Sequence, residues 1–145
     1  MSAPASAASG FLDVTRDALV AWGRQFGASL QAPAVVAISG ELGAGKTTLV
    51  QSICAALGVA ERVTSPTFAL VHIYSGAATR VYHLDLFRLN SPNELTNLGW
   101  HEILDSRAIV LVEWPDRAGS ALPGDATKLA LWHLPGEPSK RRIIW

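Results

Sequence analysis

Gly40-Glu41-Leu42-Gly43-Ala44-Gly45-Lys46-Thr47, with Thr48 directly behind, is the stretch from which the rest of the chain can be read. It fits G-x-x-x-x-G-K-[ST] at every fixed position. Upstream, Val35-Val36-Ala37-Ile38-Ser39 is a short apolar run of the buried-strand type, and downstream Thr48 to Leu57 reads as a helix. Strand, glycine loop and helix in this order are what a phosphate-binding loop requires. The glycines allow backbone angles that a side chain would forbid. Successive backbone N–H groups then turn inward to cradle phosphate oxygens at the positive end of the helix. Lys46 brings a point charge to the outer phosphates, and Thr47 offers a hydroxyl to Mg²⁺. Gly40 to Thr48 are therefore the expected nucleotide-binding residues.

The chain around this loop has 145 residues, 49% of them hydrophobic and 17% charged, with a formal net charge of zero. That length suits one domain with a single good core. Zero net charge argues against a nucleic-acid binder working by charge alone. The one cysteine, Cys54, excludes an internal disulfide, and its place in the helix after the loop makes it a buried apolar thiol. No stretch is long and apolar enough to span a membrane. Residues 1–10 are Ala/Ser-rich and lack the basic and apolar regions of a signal peptide, so they read as a disordered lead, with the domain over residues 11–145 and a cytoplasmic setting.

Taken in order, Phe11-Leu12 reads as a short edge strand. Asp13 or Thr15 can cap a helix whose apolar stripe is Leu19, Trp22, Phe26 and Leu30, and Gln31-Ala32-Pro33 breaks it. After the loop helix comes Arg62-Val63-Thr64-Ser65-Pro66-Thr67-Phe68, where Ser65 is turned away from helix by Pro66. The hydroxyls of Thr64, Ser65 and Thr67 are candidates to meet a γ-phosphate, Mg²⁺ or water, and ordinary turn chemistry explains them equally. Ala69 to Tyr74 and Thr79 to Leu84 form an antiparallel hairpin across Ser75-Gly76-Ala77-Ala78. Asp85 follows as a candidate ligand of magnesium or water, on the same strand face as His83. Ser91, Pro92 and Glu94 spell a capped helix start, Gly99 interrupts, and Trp100 to Leu104 resumes.

Ala108-Ile109-Val110-Leu111-Val112 is a second wholly apolar strand and ends in Glu113-Trp114. An acid at the end of such a strand can order Mg²⁺ or orient an attacking nucleophile, here with glutamate where aspartate is usual. Lys128 to Leu134 alternates as a strand. Ser139 to Trp145 reads as a last edge strand, its Lys140-Arg141-Arg142 cluster protecting the edge. The four histidines show no metal spacing.

The ordered set of phosphate loop, Ser65-Pro66-Thr67-Phe68, His83-Leu84-Asp85-Leu86-Phe87-Arg88-Leu89 and Val112-Glu113-Trp114-Pro115-Asp116-Arg117 resembles the TsaE family (also called YjeE), from about Phe11 to the C-terminus. These are small bacterial ATPases required for threonylcarbamoylation of the tRNA adenosine adjacent to the anticodon. The resemblance implies an α/β fold: one P-loop NTPase domain whose mixed, mainly parallel sheet is flanked by helices and carries a β-hairpin insertion. It implies ATP at Gly40 to Thr48, and Mg²⁺ against Thr47 and Glu113. Thr67 falls in a switch-like loop, Asp85 near the γ-phosphate or its water, and Arg141 near the nucleotide. The implied partner is the TsaD–TsaB heterodimer, with tRNA met only through that complex. Two positions depart from the family's pattern. Phe87 stands where tyrosine is usual, and Leu19 where a threonine often lies near the adenine.

Lys46, Glu113, Asp85 and Thr67 are the catalytic candidates in this reading. Lys46 and Mg²⁺ neutralise phosphate charge, and Glu113 or Asp85 positions the metal or the attacking water. No acceptor-substrate domain or lid is apparent, so slow turnover completed by the partner is expected. A small-molecule kinase is one alternative, although its basic lid would have to come from the scattered Arg107, Arg117, Arg141 and Arg142. A nucleotide-dependent adaptor without significant hydrolysis is the other.

Overall fold

A computed structural model describes residues 9–145; most of the expected disordered lead therefore lies outside the described residues. Strand β1 (Phe11–Thr15) runs into helix α1 (Arg16–Ser29), and Thr15 is the cap, its hydroxyl accepting from the Ala18 N–H at 3.2 Å. Strand β2 (Ala34–Gly40) leads through the glycine loop into α2 (Lys46–Ala56). The hairpin is β3 (Val71–Ser75) and β4 (Arg80–Asp85), followed by the short helices α3 (Glu94–Asn97) and α4 (Trp100–Asp105). Strand β5 (Ile109–Glu113), a 3₁₀ segment (Pro115–Ala121), β6 (Thr127–His133) and β7 (Lys140–Ile144) complete the chain.

One seven-stranded sheet has the order β1-β7-β6-β2-β5-β4-β3. Its centre, β6-β2-β5-β4, is parallel, and antiparallel strands close both sides. β1, antiparallel to β7, points the same way as the centre, so five strands share one direction. β5 is buried at every position and β4 at all but its first, and β2 and β5 carry the near-continuous apolar runs of parallel strands, whereas β6 exposes one side at Lys128 and Trp132. Helices α1 and α2 cover one face, where Trp22, Phe26, Leu49 and Ile53 pack on Val36, Ile38, Leu129 and Leu131. On the other face α3, α4 and the 3₁₀ segment cover β4 and β5, with Leu95, Trp100 and Ile103 against Leu84, Val110 and Val112. Trp22 and Phe26 stack at 5.2 Å between centroids. Among the described residues no helix is long and apolar enough to cross a membrane.

Two expectations are corrected. The last strand is not an edge: β1 returns to pair outside β7, matching Phe11 with Ile144 and Asp13 with Arg142. Its basic cluster is accordingly engaged, with Arg142 donating to both carboxylate oxygens of Asp13 at 2.7 and 3.0 Å. The helix expected from Pro92 begins at Glu94 with Asn93 as its cap. Ser91 Oγ accepts from the Asn93 N–H and Glu94 reaches back to the Asn90 N–H, so the two side chains brace the preceding turn instead of boxing one cap.

Candidate functional site

The loop between β2 and α2 holds its shape because two glycines occupy places no other residue fits. Gly40 has φ +154°, and a Cβ there would lie 2.8 Å from the Leu131 carbonyl oxygen. Gly45 caps α2 in the left-handed region at φ +104°, facing Leu19. No side chain caps α2. The N–H groups of its first turn, at Lys46, Thr47 and Thr48, have no partner inside a helix and are left for a ligand.

Lys46 opens that turn. It is buried, and its ammonium donates to the carbonyls of Gly40 and Glu41 while lying 4.5 Å from the Trp114 ring centroid. Burial pushes its pKa below the ordinary value, and the carboxylates of Glu113, Asp85 and Glu41 pull the other way. Trp114 is delivered by an unusual backbone: directly after β5 it takes left-handed angles, φ 56° and ψ 52°. Its ring also packs at 4.9 Å on Phe87, which has Arg117 on another side.

The two acids arrive on neighbouring strands. β4 and β5 pair in parallel with Asp85 opposite Glu113. Strand alternation puts Val81, His83 and Asp85 on one face with Ile109, Leu111 and Glu113. Both acids are buried. Asp85 is fully engaged: Oδ2 accepts from the hydroxyls of Ser65 and Thr67, each at 3.1 Å, and Oδ1 accepts from the Phe87 N–H at 3.0 Å. This carboxylate therefore ties the Ser65-Pro66-Thr67 loop to the end of β4. Thr64 faces elsewhere, and its carbonyl accepts from the Tyr74 hydroxyl at 3.3 Å. Glu113 is held through one oxygen, with His83 Nε2 2.6 Å from Oε2. Among the described residues Oε1 has no hydrogen-bond partner.

A cavity of about 330 Å³ collects Lys46, Thr47, Thr67, Asp85, Glu113 and Trp114. A second hollow of about 430 Å³ adjoins it, sharing Gly43, Gly45 and Thr48, and adds Leu19, Pro138 and Arg141. Arg141 faces this side and donates to the Gly43 carbonyl at 3.2 Å, whereas Arg142 turns to Asp13. Of the expected residues, Leu42, Gly43, Gly45, Lys46, Thr47, Thr48, Thr67, Asp85 and Glu113 line the first cavity and Arg141 the second, whereas Ala44 is buried beneath the loop and Gly40 and Glu41 turn their carbonyls to Lys46. A larger hollow of about 550 Å³ on the uncovered sheet face carries only Asp116 and Lys128 as charged groups. Reading the sequence missed Trp114 as a lysine partner and His83 as the residue behind Glu113. The signals were a tryptophan between the strand-end acid and a proline, and a histidine two residues before Asp85.

Among the described residues no group of three His, Cys, Asp or Glu side chains could hold a metal ion unaided. The set present, one hydroxyl, a free carboxylate oxygen and a nest of N–H groups with a lysine, suits Mg²⁺ that shares its shell with phosphates and water. Leu19 and Pro138 give the second hollow apolar walls fit for a base.

Residues 14–143 match the family described as "Threonylcarbamoyl adenosine biosynthesis protein TsaE". A Treponema pallidum protein named tRNA threonylcarbamoyladenosine biosynthesis protein TsaE is 36% identical over 110 residues, 76% of this chain and 81% of the relative. The protein of that name from Nostoc is 42% identical over 95 residues, 63% of this chain and 58% of the relative. One from Haemophilus influenzae is 39% identical over 89 residues, 61% and 56% of the two chains. The crystal structure of Bacillus subtilis YdiB superposes with a TM-score of 0.75 at 25% identity, covering 96% of this chain and 86% of YdiB.

Proposed function

The chain belongs to the TsaE family, and from that premise we propose that it is a Mg²⁺-dependent ATPase of tRNA threonylcarbamoyladenosine biosynthesis, slow alone and coupled to the TsaD–TsaB heterodimer. The observation that carries this reading is the meeting of Leu42, Gly43 and Gly45 to Thr48 of the glycine loop with Thr67, Asp85 and Glu113 around one cavity. In this reading the polyphosphate lies along the loop N–H groups and the base takes the hollow beside Leu19.

Lys46, which donates to the Gly40 and Glu41 carbonyls, would turn to the β- and γ-phosphates. Thr47 and Glu113 would hold Mg²⁺, which when bound would supply Lewis-acid charge on the outer phosphate oxygens. Asp85 keeps Ser65 and Thr67 in place, so the Thr67 hydroxyl stands where the γ-phosphate or its water arrives. Preorganised donors aimed at developing charge are the main source of rate in such transfers. Support for partner coupling is the open cleft. Between α2 and β5 the described chain forms a hairpin and two short helices, with no helical lid to exclude water.

Mg²⁺-dependent ATP hydrolysis, measured alone and with purified TsaD–TsaB for wild type and Lys46→Ala, tests the proposal. Slow turnover that rises with the heterodimer and vanishes in the variant is the expected result. ADP formation that ignores the heterodimer but needs a small metabolite would overturn it in favour of a kinase.

A further inference from the structure

His83 is fully buried at the centre of β4, one strand from the phosphate-loop strand's neighbour, and it does not line the cavity. Its ring has one polar contact, the 2.6 Å bond from Nε2 to Glu113 Oε2, and Nδ1 has no partner. A leucine would fill this place at less desolvation cost, since a buried ring nitrogen without a partner is unfavourable. What the histidine adds is therefore the bond to Glu113. A glutamate at the end of β5 has three side-chain torsions to fix, and burying such a chain costs rotamer freedom. One rigid donor, seated on the adjacent strand and diagonal to Glu113, removes most of that freedom.

We propose that His83 is a positioning residue that pins Glu113 through Oε2, so that the single oxygen Oε1 is presented to Mg²⁺ in the nucleotide cavity. The proposal rests on the reading of Glu113 as the metal-side carboxylate. His83 touches neither nucleotide nor metal. It acts as a second-layer partner, of the kind whose loss typically weakens metal binding by 10- to 100-fold. Asp85 is committed differently, its oxygens accepting from Ser65, Thr67 and the Phe87 N–H, whereas among the described residues Glu113 Oε1 carries no such bond.

The test is calorimetric binding of a non-hydrolysable ATP analogue with and without Mg²⁺, for the full chain and a set of variants. His83→Leu is expected to reduce the Mg²⁺ enhancement about tenfold or more while leaving Mg²⁺-free affinity unchanged. His83→Gln can place its amide nitrogen near the Nε2 position and should keep most of the enhancement. His83→Asn places its nitrogen nearer Nδ1, out of reach of Oε2, and should lose it. This Gln and Asn pair carries the test alone if His83→Leu does not fold. In a Glu113→Ala background, His83→Leu should remove nothing further. An enhancement intact in His83→Leu and His83→Asn, a loss equal with and without Mg²⁺, or a loss that persists in Glu113→Ala would each overturn the inference alone. A wild-type protein without any Mg²⁺ enhancement would overturn the reading of Glu113 itself, and the inference with it.

Discussion

Gly27 of α1 lies so close to Ile53 of α2 that a methyl group added to the glycine would sit 2.7 Å from the Ile53 carbonyl oxygen and 3.0 Å from its Cα. One turn earlier, Gly23 faces Ser52 in the same way, with a Cβ placed 1.9 Å from the hydroxyl. The two glycines let the helix backbones meet and seat the phosphate-loop helix on its neighbour.

Gly27→Ala therefore sets two effects against each other. Helix propensity favours alanine by about 1 kcal/mol. Overpacking against backbone that cannot rotate away costs about 1–3 kcal/mol, and more where strain spreads. The expected net result is a loss of about 1 kcal/mol or more in urea unfolding. A variant as stable as wild type would mean that α1 and α2 part easily.

Glu113→Ala and Asp85→Ala should differ in kind. Glu113 offers a free oxygen to the cavity, so its loss should cut turnover by about 100-fold or more while Mg²⁺-free nucleotide binding persists. Asp85 anchors Ser65 and Thr67. Its loss should also speed proteolytic cleavage or amide exchange around residues 64–68. Equal loop protection in both variants would remove the anchoring role.

The Asp13–Arg142 pair fixes the returning strand β1, and hydrogen bonding by the Arg142 guanidinium holds the Asp13 carboxyl below its ordinary value of 3.8. A lowered carboxyl pKa means stability that is present above the ordinary value and lost as pH falls through the folded one. Asp13→Asn should thus be less stable than wild type at pH 7, with the gap closing below pH 3.8. The pair lies at the surface, so high salt should narrow the gap too. A difference independent of pH and salt would point to strand packing instead.

Cys54 is buried and its thiol is pushed up to about 12 from 9.0, chiefly by desolvation. Its thiolate fraction near neutral pH should be about a thousandfold lower than that of a free cysteine. A disulfide exchange reagent at pH 8 should label the native chain far more slowly than the denaturant-unfolded one. Rapid native labelling would show that α2 opens locally.

What could be read in advance is set by range along the chain. The phosphate loop and its flanking strand and helix are local, so Gly40 to Thr48 were legible from spacing. β5 was legible as an apolar run ending in Glu113, and residues 80–85 as half of a hairpin. Pairing of distant strands was not legible. Nothing in residues 11–15 says that they return to cover β7, which is why Lys140 to Arg142 looked like a free edge. The alternation of His83 and Asp85 gave their shared face, but only the β4–β5 register puts His83 against Glu113. Gly23 and Gly27, four residues apart, were a visible mark of close helix contact that the apolar stripe of Trp22 and Phe26 overshadowed. Arg141 and Arg142 are adjacent, and only β7's alternation sends one to the loop and the other to Asp13.

The carbonyls of Gly40 and Glu41 and the face of Trp114 give the Lys46 ammonium a home of its own. Under the proposed function, arriving phosphates would have to compete with that home, and apparent affinity would scale with the fraction of time the lysine is free. The same competition works in reverse at the end of a cycle, when the lysine has somewhere to go as the product departs. The loop thus has its own partner for the lysine charge, and under the proposed function the cradle would hold its shape between one nucleotide and the next.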